Sequence, residues 1–351
     1  MERISIEAAR QFLPPGFEMD PNFPREGAAC GEEHVRHMLG VVWPVLSSLR
    51  KVLVAQRAMS TYTVIGMFAV GDRDIGYLGA GHVFYIDYPG KGKTLLGKIP
   101  GMVVGGSSGR MQGLPDALPA DYIGTRIIQI NPETGARYFE LVKGPAFSYI
   151  QLLDEFNRMS PRAQAAVLQS IGEGTITVGN ETHRVSPFAI ITANPVEQEG
   201  TYPLSEAFLD RLMFQIRGQE FTAADFAEID IRTRSFHTLD ISPVCDVTRV
   251  AEVRRFFHET VHVGAAVTER KGCFQEKANA PHKFCLLKRL EEKVGGPIVK
   301  TIVSGRCSLH LEGAARMLAA LRYRNFVTPD DVFKVLLPGM RHRAIFESGV
   351  V

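Results

Sequence analysis

The segment DYPGKGKT, residues 87 to 94, misses the phosphate-binding pattern G-x-x-x-x-G-K-[ST] at a single position. In such a loop, glycines let backbone N–H groups approach phosphate oxygens. Lys93 would neutralise the β and γ oxygens, and Thr94 would offer its hydroxyl to Mg²⁺. Pro89, Gly90, Lys91 and Gly92 would complete the cradle. Asp87 stands where the first glycine is expected. A carboxylate facing the phosphates from about 4 Å would repel each unit charge by roughly 4 kcal/mol at an effective dielectric near 20, before Mg²⁺ relieves it. The expectation is weakened nucleotide binding rather than its loss. A lysine-rich glycine turn with no ligand is the plainer alternative.

Further residues match the same chemistry. The run YIQLLDEFNR ends an apolar strand in Asp154 and Glu155, where one carboxylate can hold Mg²⁺ and the next can polarise the attacking water. FAIITANP ends at Asn194, a polar residue at the end of a neighbouring strand that would face the γ-phosphate. Arg211, in SEAFLDRLMF, and Arg306, in VSGRCSL, are cations that could meet charge developing in phosphoryl transfer, although each alone also reads as a surface ion pair. A competing motif, His258-Glu259-x-x-His262, has the spacing of a zinc metalloprotease helix. The nearest later histidine, His282, fits neither of the longer zincin patterns.

The elements that must position these residues can be read from pattern. HVFYID, SYIQLLDE, FAIITANP and MFQIRG are apolar runs of strand length separated by helical stretches, which points to a parallel sheet covered on both faces. Two inserts, around Asn131 to Gly135 and around Gly179-Asn180, place turn residues between β-rich arms and predict protruding hairpins. Residues 1–35 are punctuated by Pro14, Pro15, Pro21, Pro24 and Gly27 and read as an extension. A helical lead-in interrupted at Pro44 covers about 36 to 58. From 220 helical patterns dominate to 351, ending in a helix with Thr328 as N-cap, Pro329 at its first position and Asp330 and Asp331 at its positive end. Residues 268–300 form a lysine-rich insert that reads as a solvated helix-loop, with a docking patch as the alternative.

Bulk properties exclude more than they assign. The chain has 351 residues and a formal net charge of +2, so nothing in its overall charge favours nucleic acid or membrane. No apolar run reaches the roughly 20 residues of a membrane span and no leader pattern opens the chain, so a cytoplasmic protein is expected. Five widely spaced cysteines with no C-x-x-C pair read as reduced structural thiols.

Taken together, GAGHVFYIDYPGKGKTLL, LPDALPADYIG, LLDEFNRMSPRAQAAVLQSIGEGTITV, TANPVEQEGTYPLSEAFLDRLMF and RNFVTPDDV…RHR resemble the MoxR family of AAA+ ATPases. The likeness is close over about 75 to 220 and looser over 300 to 345. It implies a three-layer αβα P-loop core (36–219) with a parallel sheet and two inserted β-hairpins, followed by a helical lid domain (220–351). It also implies ATP and Mg²⁺ as cofactors and a ring, usually a homo-hexamer, with ATP between neighbours. By position, Lys93 and Thr94 would be the P-loop pair, Asp154 the Mg²⁺ ligand, Glu155 the catalytic glutamate and Asn194 the first sensor. Arg211 would be the arginine finger acting on the neighbour's ATP, and Arg306 the second sensor. Family members remodel or mature protein complexes, often beside proteins with a von Willebrand factor A domain, so a protein client is the expected partner.

Beyond Asp87, a second departure lies after the loop. Gly97 and Pro100-Gly101 interrupt the expected helix, and GGSSG at 105–109 reads as flexible, which would shorten the dipole behind the phosphates. Both departures motivate an alternative, a nucleotide-gated scaffold that binds without hydrolysis. A DNA-unwinding relative would need basic hairpins. TVGNETHRVS supplies only His183 and Arg184, and INPETGARYFELVK is mixed, so nucleic acid is not expected.

Overall fold

In the computed structural model the described residues are 3–74, 77–87, 90–194, 200–234, 241–265, 267–268 and 304–343. The strands among them are β1 (Val70–Asp74), β2 (Tyr77–Ala80), β3 (His82–Ile86), β4 (Ser108–Gln112), β5 (Gly124–Ile130), β6 (Arg137–Lys143), β7 (Ile150–Asp154), β8 (Thr175–Val178), β9 (Glu181–Arg184), β10 (Phe188–Ala193) and β11 (Leu212–Ile216). Five of them make the central sheet in the order β11-β3-β10-β7-β4, and every pairing is parallel. Successive residues of these strands enter opposite cores. Val83, Tyr85, Ile150, Leu152 and Ile190 face one apolar layer, and Phe84, Leu153 and Ile191 face the other. That two-sided burial explains why the four predicted strands read as unbroken apolar runs. Two antiparallel hairpins, β5–β6 and β8–β9, lie where the turn residues placed them.

Helices α1 (Ile6–Ala9), α2 (Glu32–His37), α3 (Trp43–Val52) and α4 (Arg57–Phe68) precede the sheet. Four more lie between its strands: α5 (Lys93–Val103), α6 (Pro119–Ile123), α7 (Pro161–Glu173) and α8 (Glu206–Leu209). Then come α9 (Ala223–Arg234), α10 (Val247–Thr260), α11 (Gly305–Ala320) and α12 (Pro329–Met340). The lead-in is helical, as expected, and it absorbs Pro44 through a π turn at Met38–Val42 just ahead of it, because proline cannot donate to the carbonyl four residues back. The first residues pack onto the lid: Tyr323 donates to Asp20 Oδ2 at 2.9 Å, and its ring meets Phe23 edge-on. Thr328 caps α12 with Asp331 in a capping box, and Arg322 and Arg324 both pair with the fully buried Asp331 carboxylate. Of the cysteines, 273 and 285 lie outside the described residues. The others are free thiols, and burial pushes Cys30 up to about 12 and Cys245 up to about 11, which leaves them poor nucleophiles.

Two expectations are corrected. The helix after the phosphate loop is unbroken: α5 runs through Pro100, which falls in its last turns. Gly97 and Gly101 are sites of close approach rather than breaks, since a Cβ would lie 2.7 Å from Leu152 Cβ at the first and 2.0 Å from Ser108 Oγ at the second. The supposedly flexible GGSSG leads directly into edge strand β4, which pairs residue for residue with β7.

His34, 3% exposed, donates from Nε2 to Ala320 O at 3.2 Å. Desolvation lowers its pKa to about 4, with His37 adding to the effect and the hydrogen bond opposing it. Between about pH 6.5 and 4 the unfolded chain takes up a proton that the folded state refuses, so stability falls as pH drops, by an amount of order 3 kcal/mol from this group. His34→Gln should therefore lose less melting temperature than the parent between about pH 7 and 4.5. Equal losses in both proteins would contradict the assignment.

Candidate functional site

The register of the sheet gathers the charged residues along one edge. Ala193 pairs with Ile86 and Ile191 with Leu153, so Asp87, Asn194 and Asp154 leave β3, β10 and β7 at neighbouring carboxyl ends, where parallel α/β sheets bind ligands. From β3 the chain enters the loop, in which Gly90 and Gly92 take φ of +87° and +80°, values that disfavour any side chain. Gly92 caps α5, so the N-terminus of that helix, the end that favours anions, directly follows the loop. Lys93 Nζ donates to Asp87 O at 2.7 Å, and Thr94 follows in the first turn of α5. Pro89 lies outside the described residues.

At the end of β7, Thr192 of the neighbouring β10 organises the acidic pair. Its hydroxyl donates to Asp154 Oδ1 at 2.6 Å and accepts the Glu155 N–H at 3.0 Å. Arg110 of β4 donates to Asp154 Oδ2 at 2.9 Å. Glu155 sits in the left-handed region at φ 50° and ψ 45°, a conformation costing a non-glycine residue about 1–2 kcal/mol. The kink takes its side chain off the strand direction, and Oε2 meets Arg158 Nη1 at 3.1 Å. Gly113 permits the crossing, because a Cβ there would lie 2.0 Å from Glu155 O. Asn194, one residue past β10, lines an open cleft of about 770 Å³ with Phe84, Ile86, Tyr202, Gln215 and Arg217.

The structure also answers the question of Asp87. Its carboxylate is buried between Lys91 Nζ, 3.0 Å from Oδ1, and the Gly218 N–H, 2.7 Å from Oδ2. The feared repulsion is therefore balanced inside the loop by a cation four residues along. Beside the loop, a cavity of about 80 Å³ is lined by Leu53, Gln56, Gly90, Lys91, Phe221 and Arg232.

The two arginines contact other elements: Arg211 rests on α7 and Arg306 pairs with Asp210. Arg211 lies across α7, donating from Nη1 to Leu168 O at 3.2 Å, over Gly172, where a Cβ would lie 1.1 Å from the same nitrogen. Arg306 Nη1 meets Asp210 Oδ2 at 3.2 Å. Asp210, which pattern reasoning passed over, also accepts from Ser304 Oγ at 2.5 Å and from Arg343 Nε at 3.3 Å, and so joins the sheet to the lid. Thr192 was missed as well, although a hydroxyl near the end of an otherwise apolar buried strand was a visible signal. The zinc motif does not assemble. His258 is on α10, but the helix ends at Thr260 and His262 pairs instead with Phe326 in a β-bridge. Among the described residues no group of three histidine, cysteine or acidic side chains could hold a metal; His282 lies outside them.

Comparison with known proteins agrees with this geometry. Residues 82–214 match a family model described as "ATPase family associated with various cellular activities (AAA)", and residues 296–349 match an AAA lid domain. Chaperone MoxR1 of Mycobacterium tuberculosis is 34% identical over 281 residues, 77% of this chain and 69% of the relative. YeaC of Bacillus subtilis is 33% identical over 277 residues, 76% of this chain and 80% of the relative. Protein MoxR of Paracoccus denitrificans is 27% identical over 287 residues, 77% and 81% of the two chains. A crystal structure of a protein from Cytophaga hutchinsonii superposes with a TM-score of 0.76 at 26% identity, covering 90% of each chain.

Thr192→Val removes both hydrogen bonds that the Thr192 hydroxyl makes to the acidic pair, while keeping the strand apolar. Mg²⁺-dependent nucleotide binding, followed by titrating Mg²⁺ against a fluorescent ATP analogue, should weaken about 10-fold or more, as is usual when the partner orienting a metal ligand is lost. An unchanged Mg²⁺ dependence would show that Thr192 does not position Asp154.

Proposed function

The chain belongs to the MoxR family of AAA+ ATPases, and from that premise we propose that it hydrolyses Mg-ATP to remodel a client protein. The observation that carries this reading is that β3, β10 and β7 end along one edge of the sheet, the first leading to Lys93 at the N-terminus of α5 and the last to an acidic pair tied together by one hydroxyl of β10. The residues suit the ligand: two glycines at positive φ and a helix N-terminus for phosphate oxygens, and a hydroxyl with a carboxylate for a hard cation.

In this reading Lys93 and the N–H groups of the loop, from Gly90 to Thr94, hold the phosphates. Thr94 and Asp154 hold Mg²⁺, which when bound neutralises charge on the β and γ oxygens. Glu155 orients water and takes its proton, with Asn194 as a second polar group at the same edge. Arg211 acts on the ATP of a neighbouring subunit in a homo-hexameric ring. Its position against α7 supports action in trans. Arg306, bound to Asp210 where the lid meets the sheet, would couple the lid to nucleotide state.

A protein partner, with a von Willebrand factor A domain protein as one such partner, suits the surface better than nucleic acid. Hairpin β5–β6 exposes Ile128, Ile130 and Phe139 at 61%, 58% and 70%, more than isolated apolar residues on a monomer's surface would explain. Among the described residues no helix is long and apolar enough to cross a membrane. The cytoplasm remains the compartment we propose. The non-hydrolysing scaffold draws no support here, because Asp87 is paired and α5 is continuous.

Glu155→Gln separates binding from chemistry. ATP affinity should stay within about threefold of the parent, while phosphate release falls by about 10²-fold or more, the range expected for loss of a general base. Hydrolysis at the parental rate would remove that role from Glu155.

A further inference from the structure

Between the strand end and Lys93 the phosphate loop carries two charged residues, Asp87 and Lys91, and they find one another. Their side chains are 6% and 8% exposed, and Lys91 Nζ lies 3.0 Å from Asp87 Oδ1. The other carboxylate oxygen accepts the Gly218 N–H at 2.7 Å. A Cβ at 218 would sit 2.2 Å from Asp87 Oδ2, so any larger residue there must displace the carboxylate. Lys91 also approaches Glu220 Oε1 at 3.4 Å. Between these two contacts, Gln56 clasps Gln219 on both sides, accepting its N–H at 3.0 Å and donating to its carbonyl at 3.1 Å. Residues 218–220 lead out of β11 toward α9, so the loop is fastened to the segment by which the chain leaves the sheet.

Asp87 thus meets both lysines of the loop. Its carbonyl accepts from Lys93, and its carboxylate accepts from Lys91. A glycine in this place would supply the first contact and not the second. A carboxylate without Lys91 would keep the Gly218 N–H but lose the cation that balances its charge within the phosphate loop. The two residue types are therefore a matched set, each costly without the other, because breaking a buried ion pair from one side strands an uncompensated charge.

We infer that Asp87 and Lys91 form a buried positioning pair that anchors the phosphate loop to residues 218–220, and that Lys91 is the internal counter-ion that makes a carboxylate compatible with nucleotide binding at the loop's first position. The inference rests on the proposed nucleotide site. Lys91 is here a positioning residue through its side chain, while its backbone N–H stays part of the phosphate cradle.

A double-mutant cycle tests the pair. With a fluorescent ATP analogue as probe, Lys91→Met should raise Kd tenfold or more, and Lys91→Arg, which keeps the charge, should stay within about threefold. Asp87→Gly added to Lys91→Met should return Kd to within about threefold of the parent. In turnover assays Lys91→Met should raise KM by a larger factor than it lowers kcat, a split that general loss of folded protein would not produce. Gly218→Ala, which displaces the carboxylate without changing any charge, should raise Kd by a smaller factor than Lys91→Met. Independent, additive effects of Asp87→Gly and Lys91→Met, with the double variant as weak as Lys91→Met alone, would overturn the pair.

Melting temperatures of the same four proteins without nucleotide read the pair separately. Each single variant should melt below the value that additivity with the double variant requires, and strict additivity would again overturn it. A parent protein that bound no ATP would defeat the functional reading, while this second cycle still decided whether Asp87 and Lys91 are coupled.

Discussion

The parallel register of β3, β10 and β7 is the constraint on which the rest of the site depends. Because Ile86 stands opposite Ala193 and Ile191 opposite Leu153, the residues that leave these strands have no choice but to emerge side by side. A one-residue slip would exchange the two apolar layers and send Asp154, Asn194 and Asp87 to separate places. The slip is prevented by burial on both faces, where Tyr85, Phe188 and Ile190 are essentially without solvent contact. Chemistry at the sheet edge is thus held in place by hydrophobic packing beneath it. The polar bonds at the edge, Thr192 to Asp154 above all, refine the position of groups that the register has already collected.

The lid is joined to this core by a different kind of contact. Asp210, just ahead of β11, gathers Ser304, Arg306 and Arg343, while the carbonyl of Leu212 accepts from both Arg343 and His342. His342 is kept neutral by burial, well below the ordinary histidine range, so this junction carries its positive charge on the arginines alone. Arg254 adds a buried link from α10 to the Met67 carbonyl at the end of α4 and to Leu78 of β2. Charge-assisted hydrogen bonds of this kind depend on geometry more steeply than apolar contact does. A domain junction built from them can transmit small changes in the placement of Arg306.

Much of this was legible in the sequence because burial imposes pattern. Strands covered on both faces must be apolar throughout, which made HVFYID, YIQLLD and FAIITA readable, and the hairpins announced themselves by their turns. Strand β4 was hidden for the opposite reason: SGRMQ lies at the sheet edge and only Met111 among its residues is buried, so its strand character comes from backbone pairing to β7. Gly97, Pro100 and Gly101 read as helix breakers because propensity is local, whereas their places in α5 are decided by Leu152 and Ser108 from other elements. The catalytic candidates Lys93, Thr94, Asp154 and Glu155 were found by spacing. Thr192, Asp210 and Gly218 were not, since their value lies in a partner distant in the chain. Asp87 is the instructive case: its sequence context suggested damage, and its partner Lys91 stood four residues away in plain view.

The central question is whether this loop, carboxylate included, supports turnover. The measurement that decides it is phosphate release from Mg-ATP by the purified protein across a concentration series, with Lys93→Ala alongside. Turnover should rise with protein concentration as subunits assemble and should disappear in the variant. Protein shown to be assembled that releases no phosphate, or a Lys93→Ala protein that releases it at the parental rate, would contradict the central claim.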